Sequence, residues 1–141
     1  MSHLYSKEKH GYGYEGIYKF IAEKNDCVEF ISEQMGSYQG DAVACFVRKD
    51  GQVGILDHAY GSCSGCDDYE ASNDYSEKTP NGLTELADDY EKRVRWSFAE
   101  DALKRCEELW LEGQAGYHLD NKEYTECYRQ RIPNFINKHT K

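Results

Sequence analysis

Residues 42–60 read AVACFVRKDGQVGILDHAY, two runs of β-branched and aromatic residues joined by Asp50 and Gly51. Such runs suit a pleated, buried strand. An Asp-Gly pair suits the type I′ turn of a two-residue hairpin loop, whose central positions both need positive φ. The stretch predicts an antiparallel hairpin. With Asp50-Gly51 as the loop, Lys49 faces Gln52, Phe46 faces Ile55, Cys45 faces Leu56 and Val43 faces His58. Val43, Cys45, Val47, Leu56, His58 and Tyr60 then share one sheet face, and Ala42, Ala44, Phe46, Val53, Ile55 and Ala59 the other. Both faces are largely apolar, so helices must cover both.

Upstream, Cys27 to Ile31 reads as a further strand, with a helical continuation to Met35 left open, and the glycines of 36–41 break the pattern. Ile17, Phe20 and Ile21 have helical spacing and predict a short helix to Lys24. Residues 1–16, rich in Gly, Tyr, His and Lys without periodicity, read as an irregular and mobile N-terminal arm. Downstream, residues 61–82 form a long connection of Gly, Ser, Asp and Asn, of the kind that often carries function. Amphipathic helix follows from Thr84 to Glu112, either unbroken or divided by a short strand at Val94–Phe98, with Gly113 as its cap. A last helix spans Lys122 to Arg131, before Pro133. The fold class is α+β: a small antiparallel sheet of about three strands around the Asp50-Gly51 hairpin, covered by three or four helices.

At 141 residues with 39% apolar and 30% charged residues, the chain is long enough to bury one core as one domain, residues 1–141. No apolar run approaches a membrane span and the N-terminus lacks the apolar core of a secretory signal, which predicts a cytoplasmic protein with no membrane partner. The net charge of −9 is uneven: residues 67–112 carry 14 acids against 6 bases. Phosphate neutralisation needs clustered Lys and Arg, so a nucleic-acid partner is not expected and a protein with a basic surface is. Asp88, Asp89 and Glu91 are the candidate acidic face, set against the plainer reading of a solvated helix side. A homodimer is also open.

Cys63 and Cys66 have the spacing of a zinc knuckle, with His58 the nearest candidate for a third ligand and Cys45, Cys127 or His118 as others. No second ligand pair exists, so no cofactor is expected, with zinc the one this loop would admit. The plainer reading is a cysteine-containing loop whose glycines permit unusual backbone angles. The acids Asp67, Asp68 and Glu70 that follow oppose both a low-pKa thiol and a phosphate cradle. A Cys63–His58 nucleophile and base lacks an orienting third group, and no catalytic residue is assigned.

Gly36-Ser37-Tyr38-Gln39-Gly40-Asp41 and Tyr60-Gly61-Ser62-Cys63-Ser64-Gly65-Cys66-Asp67-Asp68-Tyr69-Glu70-Ala71 together resemble a group of small proteins encoded by tailed bacteriophages. The likeness covers residues 27–71 by motif and, more loosely, the helices beyond, around Arg95-Trp96. It implies a phage or prophage accessory protein that binds a host component, and it implies no catalysis. A hairpin brings its outer ends together, so Ser37, Tyr38, Gln39 and Asp41 should lie beside Tyr60, Ser62, Ser64 and Asp67 as the ligand or partner loops. The expected function is a non-enzymatic acidic binding protein that inhibits a host defence or nucleic-acid-handling protein. The alternative is a metal-binding or nucleotide-like small-molecule-binding protein using the two loops.

Overall fold

The computed structural model describes residues 5–11, 13–36, 40–60, 82–115 and 122–140. Four strands, β1 (Cys27–Gly36), β2 (Gly40–Arg48), β3 (Val53–Tyr60) and β4 (Arg95–Ser97), form one antiparallel sheet in the order β1-β2-β3-β4. The helices are α1 (Lys7–His10), α2 (Gly13–Lys24), α3 (Gly82–Arg93), α4 (Ala99–Ala115), α5 (Lys122–Thr125) and α6 (Ile132–His139). A π-helical stretch, Glu126–Arg131, joins the last two. The α+β class stands, with one strand more than expected: Arg95–Ser97 is the short strand that divides the acidic helix in two.

The hairpin forms with a different turn. Gly51 donates to the Arg48 carbonyl, Arg48 donates to the Gln52 carbonyl, and Gly51 alone in the turn has positive φ, +90°. This is a three-residue loop of Lys49, Asp50 and Gly51, not the two-residue loop that Asp50-Gly51 predicts. Asp50 Oδ1 accepts the Gln52 N–H at 2.9 Å and closes it. The extra residue slips the register by one: Phe46 faces Gly54, Cys45 faces Ile55, Ala44 faces Leu56 and Ala42 faces His58. A one-residue slip turns every side chain of the second strand to the other face. Leu56, His58 and Tyr60 therefore stand with Ala42, Ala44 and Phe46, and Val53 and Ile55 with Val43, Cys45 and Val47.

Each face has its own core. On the first, Ile17, Phe20 and Ile21 of α2 and Ala87 and Tyr90 of α3 pack over Ala44, Phe46 and Leu56. On the second, Ala102, Cys106 and Leu109 of α4, at helical spacing, join Tyr124, Tyr128, Ile132 and Ile136 over Val43, Cys45, Val47 and Ile55. Each large apolar side chain so buried contributes about 1.5–3 kcal/mol. Residues expected as an arm supply Tyr5, His10 and Tyr14 to the first core, and α2 begins at Gly13, four residues before Ile17.

Two further expectations change for steric reasons. Gly113 lies inside α4 because a Cβ there would come 2.7 Å from Tyr124 Cδ2; it admits the α5 ring and caps nothing. Pro133 does not end the last helix. Its ring would crowd the carbonyl four residues back, and the wider π-helical stretch just before it lets the helix run on to His139.

Gly54 is where β4 closes on the sheet: a Cβ would sit 2.6 Å from Val94 Cγ1 and 2.8 Å from the Trp96 ring. Gly54→Ala should destabilise the fold by about 1–3 kcal/mol through overpacking. A lower urea midpoint checks this; an unchanged one would mean that Val94 and Trp96 yield freely.

Candidate functional site

Gly36 pairs with Gly40 and Gly40 with Tyr60, so the outer ends of β1, β2 and β3 meet at one end of the sheet. The expected neighbours Ser37, Tyr38, Gln39, Ser62, Ser64 and Asp67 lie outside the described residues, as do Cys63, Cys66 and His118. Asp41 and Tyr60 are described, and both are built into the scaffold. Tyr124 Oη donates to Asp41 Oδ2 at 2.5 Å, and Tyr60 Oη donates to the Met35 carbonyl at 3.2 Å. Burial first, and then the nearby acids Glu123 and Asp41, hold the Tyr60 phenol above its ordinary range.

On the α2 side of this end stands a buried cluster that only the three-dimensional fold assembles. His58 packs against the rings of both Tyr14 and Tyr90, which stack on each other 6.0 Å apart, with centroids 4.6 and 4.8 Å from its own, and Tyr18 Oη lies 2.6 Å from His58 Nε2. The Ala59 carbonyl, 2.9 Å from Nδ1, can only accept, which places the proton on Nδ1 and makes Nε2 the acceptor of the Tyr18 hydroxyl. The lone pair that zinc would need is the one Tyr18 occupies. The register slip also parts the candidate ligands: Cys45 and Cys127 lie in the core on one side of the sheet and His58 on the other. Among the described residues no group of three or more His, Cys, Asp or Glu is placed to hold a metal ion.

Beside the cluster is a hollow of about 410 Å³ lined by Gly13, Tyr14, Glu15, Tyr18, Ser32 and Gln34. Ser32 Oγ donates to Glu15 Oε2 at 2.9 Å across it. Tyr14 and Tyr18 lie four residues apart on α2, but Tyr14 falls in the stretch that reads as an irregular arm, and nothing in the sequence joins either to His58 and Tyr90.

The acidic candidates are divided. Glu91 holds Lys24 of α2 at 3.1 Å and so clasps two helices, Asp88 is half-buried, and Asp89 is exposed 3.7 Å from Arg93. The broader acidic surface is on α4, where Glu100, Asp101, Glu107, Glu108 and Glu112 are exposed. Arg105 binds Glu108 at 3.2 Å and Glu112 at 3.6 Å, and Arg129 binds Glu107 at 2.6 Å. Glu100 and Asp101 have no ion-pair partner among the described residues. Phe98, 67% exposed, precedes this helix and Leu111, 54% exposed, lies on it among the carboxylates.

Burial disfavours the reactive thiolate form in all four described cysteines, and lifts the partly buried Cys27 to about 11. Desolvation raises Cys45 well above its ordinary value and pushes Cys106 and Cys127 up to about 12, against an ordinary 9.0, despite Arg105 and Arg131 pulling the other way on the last two.

No family model matches the sequence, and no curated protein or solved structure matches it either.

Tyr18→Phe should cost about 1–3 kcal/mol, because it removes the hydroxyl that donates to the buried His58 Nε2; a calorimetric scan that does not move would show the pair to be idle. The thiols set an alkaline limit. A folded-state pKa raised by burial contributes stability that is complete below 9.0 and lost as pH climbs toward about 12. Urea midpoints should therefore fall between pH 9 and 11, and Cys106→Ala should lessen the fall; a flat profile contradicts this.

Proposed function

We propose that this chain is a phage-encoded, non-enzymatic binding protein that docks through its acidic α4 face onto a basic surface of a host defence or nucleic-acid-handling protein and inhibits it in the host cytoplasm. The observation that carries the reading is the α4 surface: five exposed carboxylates with Leu111 among them and Phe98 at the helix start. Carboxylates of this density steer a basic partner in and set its register. Exposed large apolar side chains within them supply the desolvated anchors on which affinity rests. Arg105 and Arg129 support this arrangement by fixing the Glu107, Glu108 and Glu112 side chains in place before a partner arrives. The phage assignment rests on the likeness of the two loop motifs, and no helix among the described residues is long and apolar enough to cross a membrane.

A second reading, binding of a small molecule, draws on the hollow beside Tyr14 and Tyr18. Glu15 in its wall opposes a phosphate and favours a neutral or cationic ligand.

The test is affinity capture from host lysate with the wild-type chain and with Glu100→Gln/Asp101→Asn/Leu111→Ser. The wild type should retain a partner that salt elutes, and the variant should lose at least tenfold of that binding, roughly 1.4 kcal/mol. Equal capture by a folded variant would remove α4 from the interface. Asp88→Asn/Asp89→Asn, tried alongside, reports whether α3 shares in it.

A further inference from the structure

The β-sheet has two edges, and they are not equally closed. Arg48 donates its N–H to the Gln52 carbonyl at the hairpin, so the even-numbered residues of β2 bond to β3 and its odd-numbered residues to β1. On β1 it follows that Glu29, Ile31, Glu33 and Met35 turn their N–H and C=O groups inward, to Val47, Cys45, Val43 and Asp41. Phe30, Ser32 and Gln34 turn theirs outward. The Phe30 N–H confirms the phase independently, because its acceptor is Glu29 Oε1 at 3.1 Å and not a β2 carbonyl. The same alternation on β4 turns Arg95 and Ser97 toward β3 and leaves only Trp96 facing out. Among the described residues, the open edge is β1. Side-chain clasps flank it, Ser32 with Glu15 on one face and Glu33 with Arg131, 2.7 Å apart, on the other.

We propose that two copies of this chain pair along β1, antiparallel about a two-fold axis at Ser32, to give one continuous sheet through the dimer. Such an edge is a template for another strand, and a closed two-fold pairing is the commonest way it is satisfied between identical chains. The register follows from two observations. An axis perpendicular to the sheet keeps its faces matched, so it must pass through a residue position and not between two. Centred on Ser32, the pairing sets Phe30 opposite Gln34 of the second copy and Ser32 opposite Ser32, so every outward residue of both copies enters a doubly hydrogen-bonded pair. Centred on Ile31, it opposes Glu29 to Glu33, and centred on Glu33 it opposes two Glu33 carboxylates; like charges directly opposite destabilise a sheet. Centred on Phe30, it leaves Gln34 beyond the partner strand. Only the Ser32 register uses the whole edge and opposes no two acids: Glu33 meets Ile31 and Glu29 meets Met35. The bulge at Val28, 53% exposed, marks where the regular edge ends. The dimer leaves α4 open, so it stands or falls separately from the docking face proposed above.

Sedimentation equilibrium over a concentration series should show a monomer–dimer equilibrium and no larger species. Ser32→Pro removes an outward N–H that bonds to no described residue of the sheet, and should leave a folded monomer, by circular dichroism, at concentrations where the wild type is dimeric. Should that variant fail to fold, Ser32→Cys decides: under mild oxidation it should give a covalent dimer linked at position 32 in both copies by peptide mapping, because hydrogen-bonded antiparallel pairs have Cα atoms about 5.5 Å apart, within disulfide reach. A wild type that stays monomeric at every soluble concentration overturns the proposal. So does a dimer that survives Ser32→Pro in a folded chain, or a cross-link that maps to other cysteines only.

Discussion

Gly51 holds φ at +90° while Asp50 does not share that sign, and this one backbone angle sets the length of the hairpin loop and with it the side on which every residue of β3 stands. With one residue fewer in the loop, Asp57 would turn from Arg105, now 3.3 Å away, into the apolar layer under α2 and α3. Leu56 would leave the company of Phe46. The observed register keeps the carboxylate paired and the leucine dry, and burial of an unpaired charge costs far more than a turn preference. The two cores, the position of His58 and the parting of His58 from Cys45 all follow from it.

The elements themselves were legible in sequence where their periodicity was strong. Ile17, Phe20 and Ile21 announce α2, and Ala102, Cys106 and Leu109 announce the buried stripe of α4. The hairpin was legible as a hairpin, but an Asp-Gly pair serves both a two-residue loop and the end of a three-residue one, and local residues do not choose between them. Burial chooses, through residues such as Asp57 whose partners come from distant helices. Pro133 misleads for the same reason: the rule that proline stops a helix holds unless a wider turn precedes it, and that turn is held by Tyr128 and Ile132 packing on the sheet.

The candidate site was legible only as a place. Antiparallel pairing alone brings Gly36, Gly40 and Tyr60 together, and it does so here. The side chains gathered around that end could not be read, because Tyr14, Tyr18, His58 and Tyr90 come from three separate elements and meet through packing. The buried polar groups of the cluster also show how a tyrosine-rich chain uses its hydroxyls. Tyr18 donates to His58, Tyr60 to the Met35 carbonyl and Tyr124 to Asp41, so each phenol buries a ring while its oxygen is satisfied. Acidity was likewise visible in composition, whereas its division between a helix clasp at Glu91 and an open face on α4 depends on where Lys24, Arg105 and Arg129 fall.

The two tryptophans lie on opposite sides of the sheet, and each carries a guanidinium on its ring. Arg48 lies 3.8 Å from the centroid of Trp96, which packs on the α2/α3 core, and Arg129 lies 3.4 Å from that of Trp110, which packs on the α4/α6 core. Each half of the fold thus contains its own optical reporter, lit from the indole and tuned by a cation whose departure accompanies loss of that layer. Fluorescence from one tryptophan at a time would follow one layer at a time. The molecule is built so that its own emission can tell whether the sheet transmits cooperativity from one helical layer to the other or lets the two loosen in turn.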